Sequence, residues 1–183
     1  MTREHEPASL TTPPARELTL SDGRHLVARR ADPGDADAII RLYEDLSPRA
    51  RHLRFLHPTP TLTTDLQRLL TDLARAEVWL AYDGDVCVGE VRLAHSDQPG
   101  CADMAVTVAD DYQRSGLGRQ LARLASLDRA HPEDCISVTI LPDNDAARRL
   151  AQSNHIRLHY DSGVLEGEVS VAAIPRAGRA AAQ

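Results

Sequence analysis

Apolar residues along this chain switch between a two-residue and a helical period, and each switch falls at a turn signal. Residues 17–20 and 25–30 flank Ser21-Asp22-Gly23-Arg24, where Asp-Gly supplies the positive φ angles of a tight hairpin. Asp32 and Pro33 fit an N-cap and a first-turn proline, and after them Ala36, Ile39, Ile40, Tyr43 and Leu46 recur at helical spacing. Ser47-Pro48 opens a second helix carrying Leu53, Phe55 and Leu56, and residues 62–73 predict a third. The period then becomes two. Residues 78–82 and 86–94 flank Asp83-Gly84-Asp85 as a second hairpin, and a further strand covers 102–108. A helix over about 116–129, a strand over 135–141, a helix over 144–153 and a strand pair around Asp161-Ser162-Gly163 complete the order. Such a mixed order predicts an α/β domain with a central sheet covered by helices.

Composition narrows the setting. At 183 residues, 42% hydrophobic and 26% charged, the chain fits one ordinary domain, expected over residues 16–174. Residues 1–15, with three prolines and little apolar content, and the tail 175–183 are expected to be disordered. No apolar stretch is long enough to cross a bilayer, and the first residues lack the apolar core of a secretion signal, so a cytoplasmic protein without membrane contact is expected. Cys87, Cys101 and Cys135 stand at unrelated spacings that suggest neither a disulfide framework nor a metal site; they are expected to be small core residues. A net charge of −6 argues against nonspecific nucleic-acid binding and suits basic substrates. All the basic side chains other than histidine are arginine.

The segment with most chemistry runs from Val106 to Leu121. A β-branched strand enters a short loop with Gly116 and Gly118, and an amphipathic helix begins at once. Unpaired N–H groups at such a helix start form a phosphate site. The glycines let the backbone approach an anion, Arg114 and Arg119 add charge, and Ser115 offers a hydroxyl. The dinucleotide fingerprint GxGxxG is not met, because Leu121 stands where its third glycine would be, and a phosphate loop ending in Gly-Lys is impossible without lysine.

Gln113-Arg114-Ser115-Gly116-Leu117-Gly118 matches every specified position of Gln/Arg-x-x-Gly-x-Gly/Ala, the core motif of the GCN5-related N-acetyltransferases, the GNAT superfamily. Asn144-Asp145-Ala146-Ala147 resembles the Asn-x-x-Ala helix that flanks the coenzyme in that family, and residues 46–55 are similar to its Pat-like branch of bacterial protein lysine acetyltransferases. The resemblance covers roughly residues 17–172. It implies a GNAT fold: a mixed, mostly antiparallel sheet of about seven strands, splayed after the fourth, with four or five flanking helices. It implies acetyl-CoA as cosubstrate and no metal. Val106, Thr107 and Val108 would lie along the pantetheine arm, the pyrophosphate would sit on Gln113, Arg114, Ser115, Gly116, Leu117, Gly118 and Arg119, and Asn144 would face the thiol end.

A lysine amine with a pKa of ~10.4 is only about one part in a few thousand neutral at pH 7, so a base is wanted. The Pat-like glutamate is matched by Asp103, one methylene shorter, and Glu90 on the neighbouring strand is the alternative. The family's tyrosine acid is replaced by Ala151, and its Gly-Phe after the helix by Asn154-His155. Arg49, Arg51 and Arg54 are expected to form an exposed face, and the histidines show no metal spacing. The expected activity is direct acetyl transfer to a protein lysine by a monomer or homodimer. The alternatives are a small amine as acceptor, such as an aminoglycoside, polyamine or amino acid, and a noncatalytic acyl-CoA sensor. Lacking lysine, the chain could not acetylate side chains of its own.

Overall fold

The computed structural model describes residues 14–96, 98, 100–127 and 134–173. The ends expected to be disordered, apart from residues 14 and 15, and the helix end expected near 129 lie outside them. The first hairpin is β1 (Arg16–Thr19) and β2 (His25–Arg30), closed by Gly23 at φ 87°. Asp32 first caps a 3-10 turn at Pro33–Asp35, with reciprocal bonds from Gly34 N to Asp32 Oδ1 and from Asp32 N to Asp35 Oδ2, both 2.8 Å. From there run α1 (Ala36–Glu44), α2 (Pro48–Phe55) and α3 (Thr64–Thr71). Ser47 caps α2 and Thr63 caps α3 through their side-chain oxygens. Next come β3 (Ala76–Asp83), β4 (Val86–His95), β5 (Cys101–Val108), α4 (Leu117–Leu127), β6 (Cys135–Ile140), α5 (Asp145–Ser153), β7 (Arg157–Asp161) and β8 (Val164–Ser170).

The strands form one sheet in the order β1-β2-β3-β4-β5-β6-β8-β7, antiparallel except at β5–β6. The sheet has the eight strands read along the sequence, one more than the seven or so that the resemblance implies. The splay therefore follows the fifth strand in this count. Strand alternation divides the core: Ile39, Leu42, Tyr43 and Leu46 of α1 and its exit pack with Leu70, Val78 and Leu80 on one face. Leu117, Leu121 and Ala125 of α4 pack with Val91, Leu93 and Ile136 on the other. A Cβ at Gly89 would stand 3.0 Å from Leu121 and 3.1 Å from Leu117, so glycine lets α4 seat directly on β4. No described helix is long and apolar enough to cross a membrane.

The last strands adapt to the missing Gly-Phe. His155 takes φ 60°, the left-handed turn a glycine would make, and Ile156 then drops into the core. Asn154 Nδ2 donates to Leu150 O at 2.8 Å and closes the end of α5.

The cysteine expectation needs correction. Cys101 and Cys135 are register partners in the parallel β5–β6 ladder and are joined by a disulfide. Their 34-residue separation carries no sequence signal; only the sheet register brings them together. Cys87 is free and buried as expected, and burial pushes its thiol up to about 12.

Two stability predictions follow from these contacts. Reduction of the disulfide, or Cys135→Ser, is expected to cost about 3–4 kcal/mol in chemical denaturation, the entropy of a loop of this length. Asp35 takes both Nη groups of Arg29 at 2.7 Å and the Tyr82 hydroxyl at 2.7 Å. The Arg29 guanidinium holds the Asp35 carboxyl down to about 2. A depressed folded pKa gives stability that is complete above the unfolded value near ~3.9 and is lost as pH falls toward about 2. Denaturation between pH 5 and pH 2 should show about 2 kcal/mol of this loss, and Asp35→Asn should remove that limb of the pH profile.

Candidate functional site

The β5–β6 ladder is short. It pairs only Cys101, Ala102 and Asp103 with Cys135, Ile136 and Ser137, whereas β4 follows β5 as far as Val108. Beyond Asp103 the two strands part, leaving the backbone of Met104 to Val108 with an edge that no described strand pairs. A cavity of about 400 Å³ fills this cleft. Leu53, Leu66 and Leu70 of α2 and α3 close one side, Ala122 of α4 and Ala147 of α5 the other, and Val106 and Val138 face it from the parted strands. Exposed strand amides and carbonyls beside an apolar slot suit a ligand that has amides of its own.

At the C-terminal end of β5 the chain turns into the glycine loop, which the rest of the fold holds from several sides. Ser21 N and Oγ both donate to Ser115 O, at 3.0 and 3.1 Å. Arg24 lies 4.0 Å over the Tyr112 ring and donates to Asp111 O at 3.1 Å. Asp110 accepts from Ser47 N at 2.8 Å and from Ser47 Oγ at 2.7 Å. Arg114 at φ 60° and Gly116 at φ 87° turn the backbone so that the N–H groups of Ser115, Gly116, Gly118 and Arg119 donate to no described group. Arg114 and Arg119 are exposed beside them. This is the arrangement of donors and charge that binds a diphosphate.

Individual residues of the motif divide by role. Leu117 is buried under α4, so its backbone alone faces the loop. The Ser115 hydroxyl donates to Tyr112 O at 2.5 Å and braces the turn, so it is not the free donor that the sequence suggested. Gln113 Nε2 donates to Val108 O at 3.3 Å. A Cβ at Gly118 would meet Val106 and Val108 at 3.6 Å, ordinary contact, so nothing within the protein demands glycine there. Open space lies instead beside Gly116, where a Cβ would meet nothing within 4 Å, and the loop fits the diphosphate of acetyl-CoA.

The two candidate bases occupy different environments. Asp103 lines the cavity and accepts a short hydrogen bond from Ser137 Oγ. Glu90 is 1% exposed, does not line the cavity, and is held by Arg92 Nε at 2.9 Å, its second oxygen lacking a described partner. Asn144 lines the cavity; its Oδ1 caps α5 by accepting from Ala147 N at 3.1 Å, which leaves its amide hydrogens to the cavity. Thr107 faces away from the α4 side. Its Oγ1 donates to the Tyr43 hydroxyl at 3.1 Å, and Arg54 Nε reaches both oxygens at 3.1 Å. Burial pushes the Tyr43 hydroxyl up to about 12, against the pull of Arg54. Tyr160 sits on β7, 69% exposed.

Arg54 corrects the expectation of an exposed arginine face. Arg49 is exposed and pairs with Asp143 at 2.7 Å, but Arg54 turns inward onto the cavity wall, 5.6 Å from the Tyr43 ring and 5.4 Å from that of Phe55. The spacing held a signal: Arg54 is four residues after Ala50, which packs on the α1 cluster, and so shares its helix face. Ser137 was also missed, since only the ladder register sets it beside Asp103.

Gly116→Ala should place a methyl group in the open space beside the loop. Its expected signature is at least a tenfold loss of CoA affinity by calorimetry, with the melting temperature changed by no more than a few degrees.

Comparison with known proteins agrees with this geometry. The acetyltransferase (GNAT) family profile matches residues 39–155. The acetyltransferase PA5475 of Pseudomonas aeruginosa is 36% identical over 111 residues, which span 57% of this chain and 60% of that protein. The GNAT domain of S. lividans PAT superposes with TM-score 0.74 at 21% identity, over 85% of this chain and 96% of that one. Salmonella typhimurium yncA, solved with its cofactor acetyl-CoA, superposes with TM-score 0.60 at 22% identity, over 80% of this chain and 94% of that one. A cAMP-binding acyltransferase from Mycobacterium smegmatis superposes with TM-score 0.57 at 22% identity, over 86% of this chain and 47% of that one. With its glycine loop, parted strands and a profile match over more than half its length, the chain belongs to the acetyltransferase (GNAT) family.

Proposed function

We propose that this chain transfers the acetyl group of acetyl-CoA directly to the side-chain amine of a protein lysine, with Asp103 as the base. The observation that carries the reading is the position of Asp103 on the wall of the cleft that opens between β5 and β6. Acetyl-CoA supplies an acyl group activated as a thioester. The loop amides around Gly116 and Gly118 would hold its diphosphate, and the free edge of Met104 to Val108 its pantetheine amides.

The chain's own residues then do three things. Asp103 accepts the proton of the incoming ammonium, and the Ser137 hydroxyl fixes the orientation of the carboxylate. The apolar walls of the cleft exclude water from the acyl group. Ala151 lines the cavity where the family's tyrosine would stand, so α5 offers no acid there and the departing thiolate takes its proton from solvent. Support for a protein acceptor comes from the likeness of residues 46–55 to the Pat-like branch and from the exposed Glu168, which the register sets on the same face as Asp103 and Ser137. That acidic face suits the basic surroundings of a target lysine.

Release of free CoA in the presence of acetyl-CoA and lysine peptides is the direct test; inert peptides beside an active small amine would replace the protein acceptor. Asp103→Asn is expected to lower kcat/KM roughly 10²–10⁴-fold with CoA affinity retained. Glu90→Gln should behave differently: it uncouples the buried Arg92 and costs about 3–5 kcal/mol of stability. A Glu90→Gln protein that stays fully stable but loses turnover would move the base to Glu90.

A further inference from the structure

Four charged side chains face the cavity: Arg54, Arg75, Arg92 and Asp103. Two of them are neutralised, Arg92 by Glu90 at 2.9 Å and Arg75 by Asp72 at 3.4 Å. Asp103 and Arg54 form no ion pair with a described residue, although Glu90, paired with Arg92, is near enough to act on Arg54 through space. The cleft thus presents one uncompensated negative charge and one uncompensated positive charge, on walls formed by different elements.

Arg54 is built to receive an anion. Its Nε is taken up by the Tyr43 hydroxyl and Thr107 Oγ1, both 3.1 Å away, and its head lies within cation–π distance of Tyr43 and Phe55. The guanidinium plane is therefore fixed on one edge. Neither Nη donates to a described residue, and neither is among the buried polar atoms that lack a partner, so both are open to the cavity side. Glu90 is committed to Arg92, which leaves the Arg54–Arg92–Glu90 group with a net positive charge. An arginine fork with its far edge free matches the two oxygens of a carboxylate.

We propose that the acceptor carries a carboxylate as well as its amine, Arg54 taking the carboxylate through its Nη groups while Asp103 takes the amine. This rests on the acetyl-transfer reading for the amine and adds a second recognition point that the chemistry itself does not need. In a protein acceptor the carboxylate is an aspartate or glutamate beside the target lysine; in a small acceptor it is that of an amino acid. Thr107, which Arg54 bonds, and Asp103 lie on one face of β5 with backbone positions roughly 13 Å apart, so the carboxylate and the amine are recognised by side chains that start from separate places.

The test is calorimetry on CoA-saturated protein with two matched pairs of probes. One pair is a lysine peptide with Glu or Gln next to the lysine, and the other is free lysine against lysinamide. The acidic member of one pair is expected to bind about tenfold tighter or more, and the pair that discriminates identifies the source of the carboxylate. Arg54→Met should bring that ratio close to one, and Arg54→Lys, which keeps charge without the fork, should leave an intermediate ratio. If Arg54→Met does not fold by circular dichroism, Arg54→Lys and Arg54→Gln carry the comparison. Equal affinities within both pairs, no binding by any of the four probes, or a preference that survives in the Arg54 variants would overturn the proposal. A carboxylate preference without any release of CoA from acetyl-CoA would keep the subsite and remove the acetyl-transfer reading.

Discussion

The functional geometry depends on one constraint, the early end of the hydrogen-bonded ladder between β5 and β6. Only three residue pairs join these strands before they separate, and everything that suits the site to an acyl donor lies beyond that point. The free backbone edge, the cavity and the glycine loop all lie along the same stretch of β5 or directly after it. Had the ladder continued, the amides of Met104 to Val108 would be consumed by the sheet and no slot would exist. The cost of unpaired backbone groups is a reason for such an edge to acquire a partner from outside the chain.

The loop is held in the same spirit. Its backbone is bent through positive φ at Arg114 and Gly116, a conformation that is unfavourable for an arginine, and the first hairpin, α2 and β3 each contribute a bond that maintains it. The donors are thus turned outward before any ligand arrives, which reduces the ordering that binding must impose. Electrostatics in the cleft follow a similar division of labour. Glu90 and Arg92 neutralise each other in the sheet, whereas the partner of Asp103, Ser137, is neutral.

Much of this was legible in the sequence, and the reasons are specific. Asp-Gly and Asp-Gly-Asp marked both hairpins, Ser47-Pro48 marked the start of α2, and the strand, two glycines and amphipathic helix from Val106 onward located the loop. These are local signals, set by backbone dihedrals and periodicity. What escaped depends on sheet register and on which way a helix faces. The Cys101–Cys135 bond and the contact of Ser137 with Asp103 both arise from one parallel pairing between segments more than thirty residues apart. Arg54 looked like surface because α2 carries too few apolar residues to reveal its inner face. The environments of Asp103 and Glu90 could not be told apart from sequence, since burial and pairing with Arg92 set them apart and neither has a local signature.

The covalent bond between Cys101 and Cys135 has one more consequence. It ties the two strands at the first of their three ladder pairs, two residues before they diverge, so in an oxidising medium the half built on β5 and the half built on β6 share a rivet behind the cleft. Where thiols are kept reduced, the same strands are held by the three ladder pairs and by helix packing alone. Whether a covalent tie backs the ladder is then set by the redox potential of the surroundings, and the chain is the same in both cases.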